Sequence, residues 1–441
     1  MGNLVNLSAF LVLTALTGIY LFRYSARVKD PLNSKKYLLF EGSEYALLWV
    51  MATSTLALSG GGGGQGAGTG FNLQAIRLMV LEIFFVLTFF IATRPPKWGI
   101  GTVMYLIYLL WITYTLTYAP STSYGFRYIL KYIYPFLTML ACSAIVRDEK
   151  VFLSICVWMR RIALVSVLLL LIPIPIPFIR GLYWYSTALN MHYPVVACCS
   201  LVMFFYYGKD WKDLAIALLF FLPCILEVHR TGLLCIFVAT AIFFFMRFKL
   251  LSLPFIALTL GIGVAIIFYV PSFHEKMFWK TDEAGEKVTV QDLREGNISE
   301  DDIRNNGRKA LWKMLEANFY KGHELKGSGI GSCQYYLYEH LNGVKQTHGD
   351  YIQMRCDTGK VGMWLFIAIG IAVFLHCLIV CLSPNQPDYV KACAAIAASS
   401  VVGQFFAMYS DNAVTYTMCT TGTSFAFYGM MLGLKAKACQ V

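Results

Sequence analysis

Apolar runs of roughly membrane-crossing length recur along almost the entire chain. They fall at 4–22, 37–58, 73–92, 100–118, 127–146, 152–176, 189–207, 212–228, 231–246, 250–270, 359–382, 390–409 and 413–434. About 20 consecutive apolar residues are needed for a helix to cross the hydrocarbon core, and no open strand can do so. The pattern therefore predicts an all-α polytopic membrane protein with 12–13 transmembrane helices. One long polar break, between Pro271 and Thr358, predicts an extramembrane loop. Within it the segment RKALWKMLEANFY places Ala310, Leu311, Met314, Leu315 and Phe319 near helical spacing, which predicts an amphipathic helix. The division that follows is a bundle over 1–270, a loop over 271–358 and closing helices over 359–441. The first run, 4–22, has neither a basic leader nor a small-residue cleavage site and is expected to be a span.

Composition agrees with the pattern: 58% of the 441 residues are hydrophobic and 14% charged. Soluble domains carry roughly 25% charged residues. The net charge of +11 resides mostly in short loops and gives no reason to expect a nucleic-acid partner. Those loops alternate. Arg23 to Lys36, Arg94 with Lys97, Arg147 with Lys150, Lys209 with Lys212, Arg247 with Lys249, and Lys435 with Lys437 fall on one side. The uncharged SGGGGGQGAGTG and APSTSYG loops fall on the other. Basic loops face the cytoplasm. The long loop, the His229–Arg230 turn and the Tyr409–Asn412 turn are then expected outside. From Pro271 to Thr347 the loop has eleven basic and twelve acidic residues. Thirteen cysteines, mostly inside apolar runs and without metal-like spacing, are expected to be small core residues. Nothing in the sequence requires the outer pair Cys333 and Cys356 to bond.

The glycine run lacks the Gly-Lys-Ser/Thr ending of a phosphate loop and is expected to be a linker. GSGIGS, residues 327–332, follows no predicted strand and is expected to be a tight turn. Arg230 lies between two apolar runs on the outer side, against the orientation rule. It is either a snorkelling anchor or the holder of an anion, with Glu227 or a phosphate as partner. Arg308, His348 and Asp411 each have an ordinary reading as a surface charge, a helix-end histidine and a turn residue. Together on one face they suit handling of a membrane-held phosphate ester. Arginine forks bind phosphate oxygens, and a neutral imidazole takes a proton from a hydroxyl.

Three blocks carry a family resemblance: HRTGLL, RKALWKMLEANFYKGHELKGSGIGS and HGDYIQMRCDTGKVG. They resemble, in order, the Ser-Arg-x-x-Leu turn, the Arg-x-x-x-Trp helix with its Gly-x-Gly turn, and the His-x10-Gly-x-x-Gly segment of the O-antigen polymerase and ligase superfamily. His229 stands in place of the usual serine. Gly349 follows the histidine where ligases favour Asn, Ser or Gln. The resemblance implies a bacterial inner-membrane glycosyltransferase with its site on the periplasmic side. It implies a donor glycan on undecaprenyl pyrophosphate and an acceptor hydroxyl on another lipid-linked glycan or on lipid A–core. Arg230 and Arg308 would hold the pyrophosphate, and His348 would be the general base. No metal or other cofactor is implied, and the anomeric centre would invert. Tyr351 would orient the imidazole, line the acceptor groove or simply pack, and Asp411 would contact acceptor or an arginine. A chain-length regulator is a further partner of such enzymes. Gly349 tilts the reading towards polymerase over ligase. The competing class is a transporter or flippase of lipid-linked sugars, against which stand the outer placement of the polar cluster and the lack of an internal repeat.

Overall fold

The computed structural model describes residues 12, 16, 23–54, 73–91, 94–171, 187–208, 210–278, 307–341 and 346–439. It is helical throughout, apart from one hairpin of β1 (Ala26–Lys29) and β2 (Tyr37–Phe40), paired antiparallel. Helices follow in order: α1 (Gly42–Thr53), α2 (Leu73–Ile91), α3 (Ile100–Leu116), α4 (Thr122–Ile145), α5 (Glu149–Leu171), α6 (Thr187–Val202), α7 (Trp211–Leu219), α8 (Leu222–Leu226), α9 (Arg230–Phe248), α10 (Leu253–Tyr269), α11 (Pro271–Met277), α12 (Arg308–Leu315), α13 (Ser332–His340), α14 (Asp350–Leu382), α15 (Asp388–Ala407) and α16 (Thr421–Ala438). Six helical segments among the described residues are long and apolar enough to cross a membrane, and two shorter ones, Leu78–Leu87 and Ile100–Leu116, are also apolar. The chain is an all-α polytopic membrane protein.

In lipid, helices associate by close packing and not by exclusion of water, so small residues line their contacts. Helix α15 buries Ala392, Cys393, Ala394, Ala395, Ala397, Ala398, Ser399 and Ser400 between α9, α14 and α16. On α16, Gly429 and Gly433 are one turn apart and face α4. A Cβ there would lie 2.1 Å from the Met139 carbonyl oxygen and 2.3 Å from that of Val146. Any larger residue would force the helices apart. Eleven of the cysteines lie buried in helices or their flanks without a disulfide, Cys419 is buried in a turn, and Cys439 is exposed.

Several expected spans take a different form. The run 4–22 falls almost wholly outside the described residues, as do the glycine-rich segment and 279–306. The run 37–58 begins as a strand and becomes helical only at Gly42. The run 212–228 is split into α7 and α8, because Pro223 has no N–H to continue the first helix, and it ends at Val228, which adopts φ 52°. The span expected from 359 starts at Asp350, with Gly359 as a break inside it at φ 70°. The Glu324 and Leu325 carbonyls fill that break, accepting from Lys360 N at 2.8 Å and Val361 N at 3.3 Å. A Cβ on Gly359 would lie 2.1 Å from the Leu325 oxygen, so only glycine fits. The Gly-x-x-Gly element is therefore a kink that receives the preceding turn.

The basic loops gather at one end of the bundle, as the charge alternation predicts. Arg94 pairs with Glu41 at 3.2 Å, Lys150 with Asp30 at 3.8 Å, and Lys437 with Asp148 at 3.0 Å. The GSGIGS turn, α12, the His348 segment and the 409–414 turn contact one another at the other end.

Candidate functional site

The site is assembled where α9, α12 and α14 begin. Helix N-termini carry unpaired N–H groups and a positive dipole end, so they attract anions. His229 is the N-cap of α9, and its Nδ1 accepts from Gly232 N at 2.9 Å. The imidazole thus caps the helix from the position that serine holds in the motif this turn resembles. That bond leaves Nε2 as the protonated nitrogen, 3.6 Å from Asp411 Oδ2.

Arg230 is the first residue of α9. Its Nη1 donates to the Lys276 carbonyl at 3.1 Å, and Lys276 Nζ donates back to the Val228 carbonyl at 2.7 Å. This reciprocal pair clamps α11 against the α8–α9 turn and keeps both cations there. Burial first, then the charge of Arg230, holds Lys276 below its ordinary value, with Glu227 opposing and Arg308 adding to the depression. Arg308 therefore lies within electrostatic reach of the Arg230–Lys276 pair. Glu227 accepts from Asn190 Nδ2 at 2.6 Å, which ties it into α6.

Arg308 opens α12 after Gly307, whose φ of 77° lets the chain turn into the helix. Its guanidinium donates to the Ser410 carbonyl. On α12, Leu311, Met314 and Leu315, continued by Phe319, pack on α13 and α14 as predicted, while Ala310 is exposed. Trp312 donates from Nε1 to the Thr347 carbonyl at 2.8 Å, fastening the residue just before His348.

His348 is half-buried in a left-handed backbone conformation, φ 51°. Its neighbours make that conformation possible. Thr347 Oγ1 bonds Asn412 Oδ1 and Gln353 Oε1, both at 3.1 Å, while Asp350 takes the Val414 N–H at 3.0 Å. The segment is stapled to the 409–414 turn on both sides of the imidazole. His348 Nδ1 is buried with no hydrogen-bond partner among the described residues. Burial lowers the imidazole below its usual value, the Arg308 charge lowers it further, and Asp411 opposes. Burial raises the Asp411 carboxyl, but the interaction with His229 outweighs it, aided by the Asn412 N–H and Arg308, and the net is low. Asp411 is ionised and His348 neutral near pH 7.

Of the sequence-derived residues, Arg308, His348 and Asp411 come together directly. Arg230 joins them through Lys276, and Glu227 supports that cation pair. Tyr351 does not orient His348: its hydroxyl donates to the Phe405 carbonyl at 2.8 Å, so it packs α14 on α15. Two residues were overlooked in the sequence. Lys276 carried the same signal as Arg230, a cation on the outer side. His229 was noticed only as a replaced serine. Gly349 has φ 175°, open to any residue, but a Cβ would lie 3.1 Å from Trp312 Cζ2 and 3.3 Å from the Tyr409 carbonyl.

Residues 214–367 match the family model described as O-antigen ligase. That span holds every cation and both histidines of the site, and the match supports the O-antigen ligase and polymerase superfamily and a glycan-transfer function in O-antigen assembly. No curated protein matches the chain significantly.

Proposed function

We propose that the chain transfers a glycan from a lipid pyrophosphate to an acceptor hydroxyl on the periplasmic face of the bacterial inner membrane. The observation that carries the reading is the meeting of three cations with a neutral imidazole whose Nδ1 has no hydrogen-bond partner among the described residues, at converging helix N-termini. Arg230 and Arg308, with Lys276 beside them, hold the pyrophosphate of an undecaprenyl-linked donor. They stabilise the negative charge that grows as the anomeric C–O bond breaks. His348 takes the proton of the acceptor hydroxyl as its oxygen bonds to the anomeric carbon from the opposite side. The lipid pyrophosphate leaves with the electron pair, and the centre inverts. The cation set supplies what a divalent metal supplies in other transferases, so the reaction runs without one. Asp411 keeps His229 in place and limits how far Arg308 depresses His348.

The acceptor is another lipid-linked repeat unit, making the enzyme a polymerase. Gly349 supports this choice, since the larger residues that ligases favour there would press on Trp312. The description of the matched family favours the second reading, transfer to lipid A–core.

Purified protein given lipid-linked repeat units alone should produce longer chains. Growth only when lipid A–core is added would replace polymerase by ligase. His348→Ala should abolish transfer while donor binding persists, and retained transfer would remove His348 as the base.

A further inference from the structure

A cavity lies at the other end of the molecule, among the basic loops, away from the candidate transfer site. Its volume is about 430 Å³, within the roughly 300–1,000 Å³ of small-molecule sites. Tyr45, Leu48 and Trp49 of α1 and Val157 and Trp158 of α5 form apolar walls, and Arg27, Lys29 and Arg161 stand in the lining with them.

Three features point to the occupant. The first is unspent positive charge. Arg27, Lys29 and Arg161 have no ion-pair partner among the described residues. The single lining carboxylate, Asp30, already accepts from Leu32 N at 2.9 Å and Asn33 N at 3.3 Å and lies 3.8 Å from Lys150 Nζ. The second is the hairpin register, which sets Arg27 opposite Leu39 and Lys29 opposite Tyr37. Residues directly opposite share a face. Tyr37 and Leu39 are 60% and 72% exposed, while Ala26, Val28 and Phe40 are buried. The exposed face therefore mixes cations with large apolar side chains, a composition suited to the headgroup region of a bilayer. The third is continuity with lipid. Trp49 is 46% exposed, its ring lies 6.3 Å from that of Trp158, and the Arg161 guanidinium sits 5.5 Å over the latter. The groove thus runs from cations at the mouth to an apolar wall between two helices.

We propose that this cavity binds an anionic glycerophospholipid from the leaflet facing the basic loops. Its phosphate meets Arg27, Lys29 and Arg161, and an acyl chain lies along α1 and α5. A neutral lipid gains nothing from the cations, and a free phosphate gains nothing from the tryptophan wall.

Native mass spectrometry of the full chain in detergent tests this with phosphatidylglycerol and phosphatidylcholine of matched acyl chains. Phosphatidylglycerol should be retained preferentially, and each of Lys29→Gln and Arg161→Gln should weaken retention about fivefold, with Arg161→Lys close to wild type. Equal retention of the two lipids, or unchanged retention in both Gln variants, overturns the proposal. Displacement of phosphatidylglycerol by millimolar inorganic phosphate overturns it too, in favour of a free-anion site. Thermal melts check folding. If Arg161→Gln does not fold, the exposed hairpin variant Lys29→Gln decides alone.

Discussion

Asp357 offers the sharpest test of how the Gly-x-Gly turn is held beside the site. It is 1% exposed, and its carboxylate accepts from Gly331 N at 3.0 Å, Cys333 N at 2.9 Å and Gln353 Nε2 at 3.5 Å. It thereby satisfies the first N–H groups of α13, which has no side-chain cap of its own. Asp357→Leu orphans two buried backbone donors. Each costs about 1–3 kcal/mol, so the substitution should cost about 2–6 kcal/mol in total. Asp357→Asn retains one acceptor oxygen but turns an NH2 group towards the second donor, and about half that loss is expected. The cost falls on local opening of α13 against α14. At about 1.4 kcal/mol per tenfold, the open population should rise by about 30-fold to 20,000-fold in the Leu variant. Cys333 and Cys356 are both fully buried in this contact and report on it. Maleimide labelling followed by peptide mass spectrometry should show both accelerated, with Leu above Asn. Cys142, buried in α4 and remote from the turn, should be unaffected. Wild-type labelling of Cys333 in a folded Leu variant would refute the capping argument.

Three further outcomes are expected. Transfer should fall as acid protonates His348, at a pH below the ordinary imidazole range, because burial and Arg308 lower its value. Arg308→Gln removes a depressing charge and should move that acid limb of residual activity upward. Asp411→Asn removes the opposing charge and should move it downward. Limbs shifting in the same direction would contradict the electrostatics. Trp312→Phe loses the bond to the Thr347 carbonyl, worth about 1 kcal/mol. Transfer should drop while the melting temperature scarcely moves, and an unchanged rate would show that the anchor does not position His348. Gly349→Asn needs no unusual backbone but crowds Trp312, and overpacking of this kind costs about 1–3 kcal/mol. A melt indistinguishable from wild type would mean that the tryptophan ring yields freely.

Hydrophobic periodicity and loop charge determined the class of fold and the grouping of basic loops. Both follow from transfer between water and lipid, which each residue largely undergoes on its own. The same local signals located the α12 helix and the GSGIGS turn, whose three glycines all have positive φ. Arg230 stands out because a cation is costly at that position, Arg308 and His348 because they fall in the family-like blocks, and Asp411 only as a weaker companion on the same side. Their relations were not legible. The Lys276–Arg230 clamp, the His229 cap facing Asp411 and the Thr347–Asn412 staple join positions tens to more than a hundred residues apart, and nothing in their spacing implies contact. Pro223 and the carbonyls filling the Gly359 break overrode the apolar periodicity, because a missing N–H or an inserted carbonyl acts on backbone bonding and not on hydropathy. Tyr351, one turn from His348 along the helix, turned instead to Phe405. Sequence grouped the candidate residues on one side of the predicted spans; packing decided which of those side chains meet, because only contact sets burial and pairing.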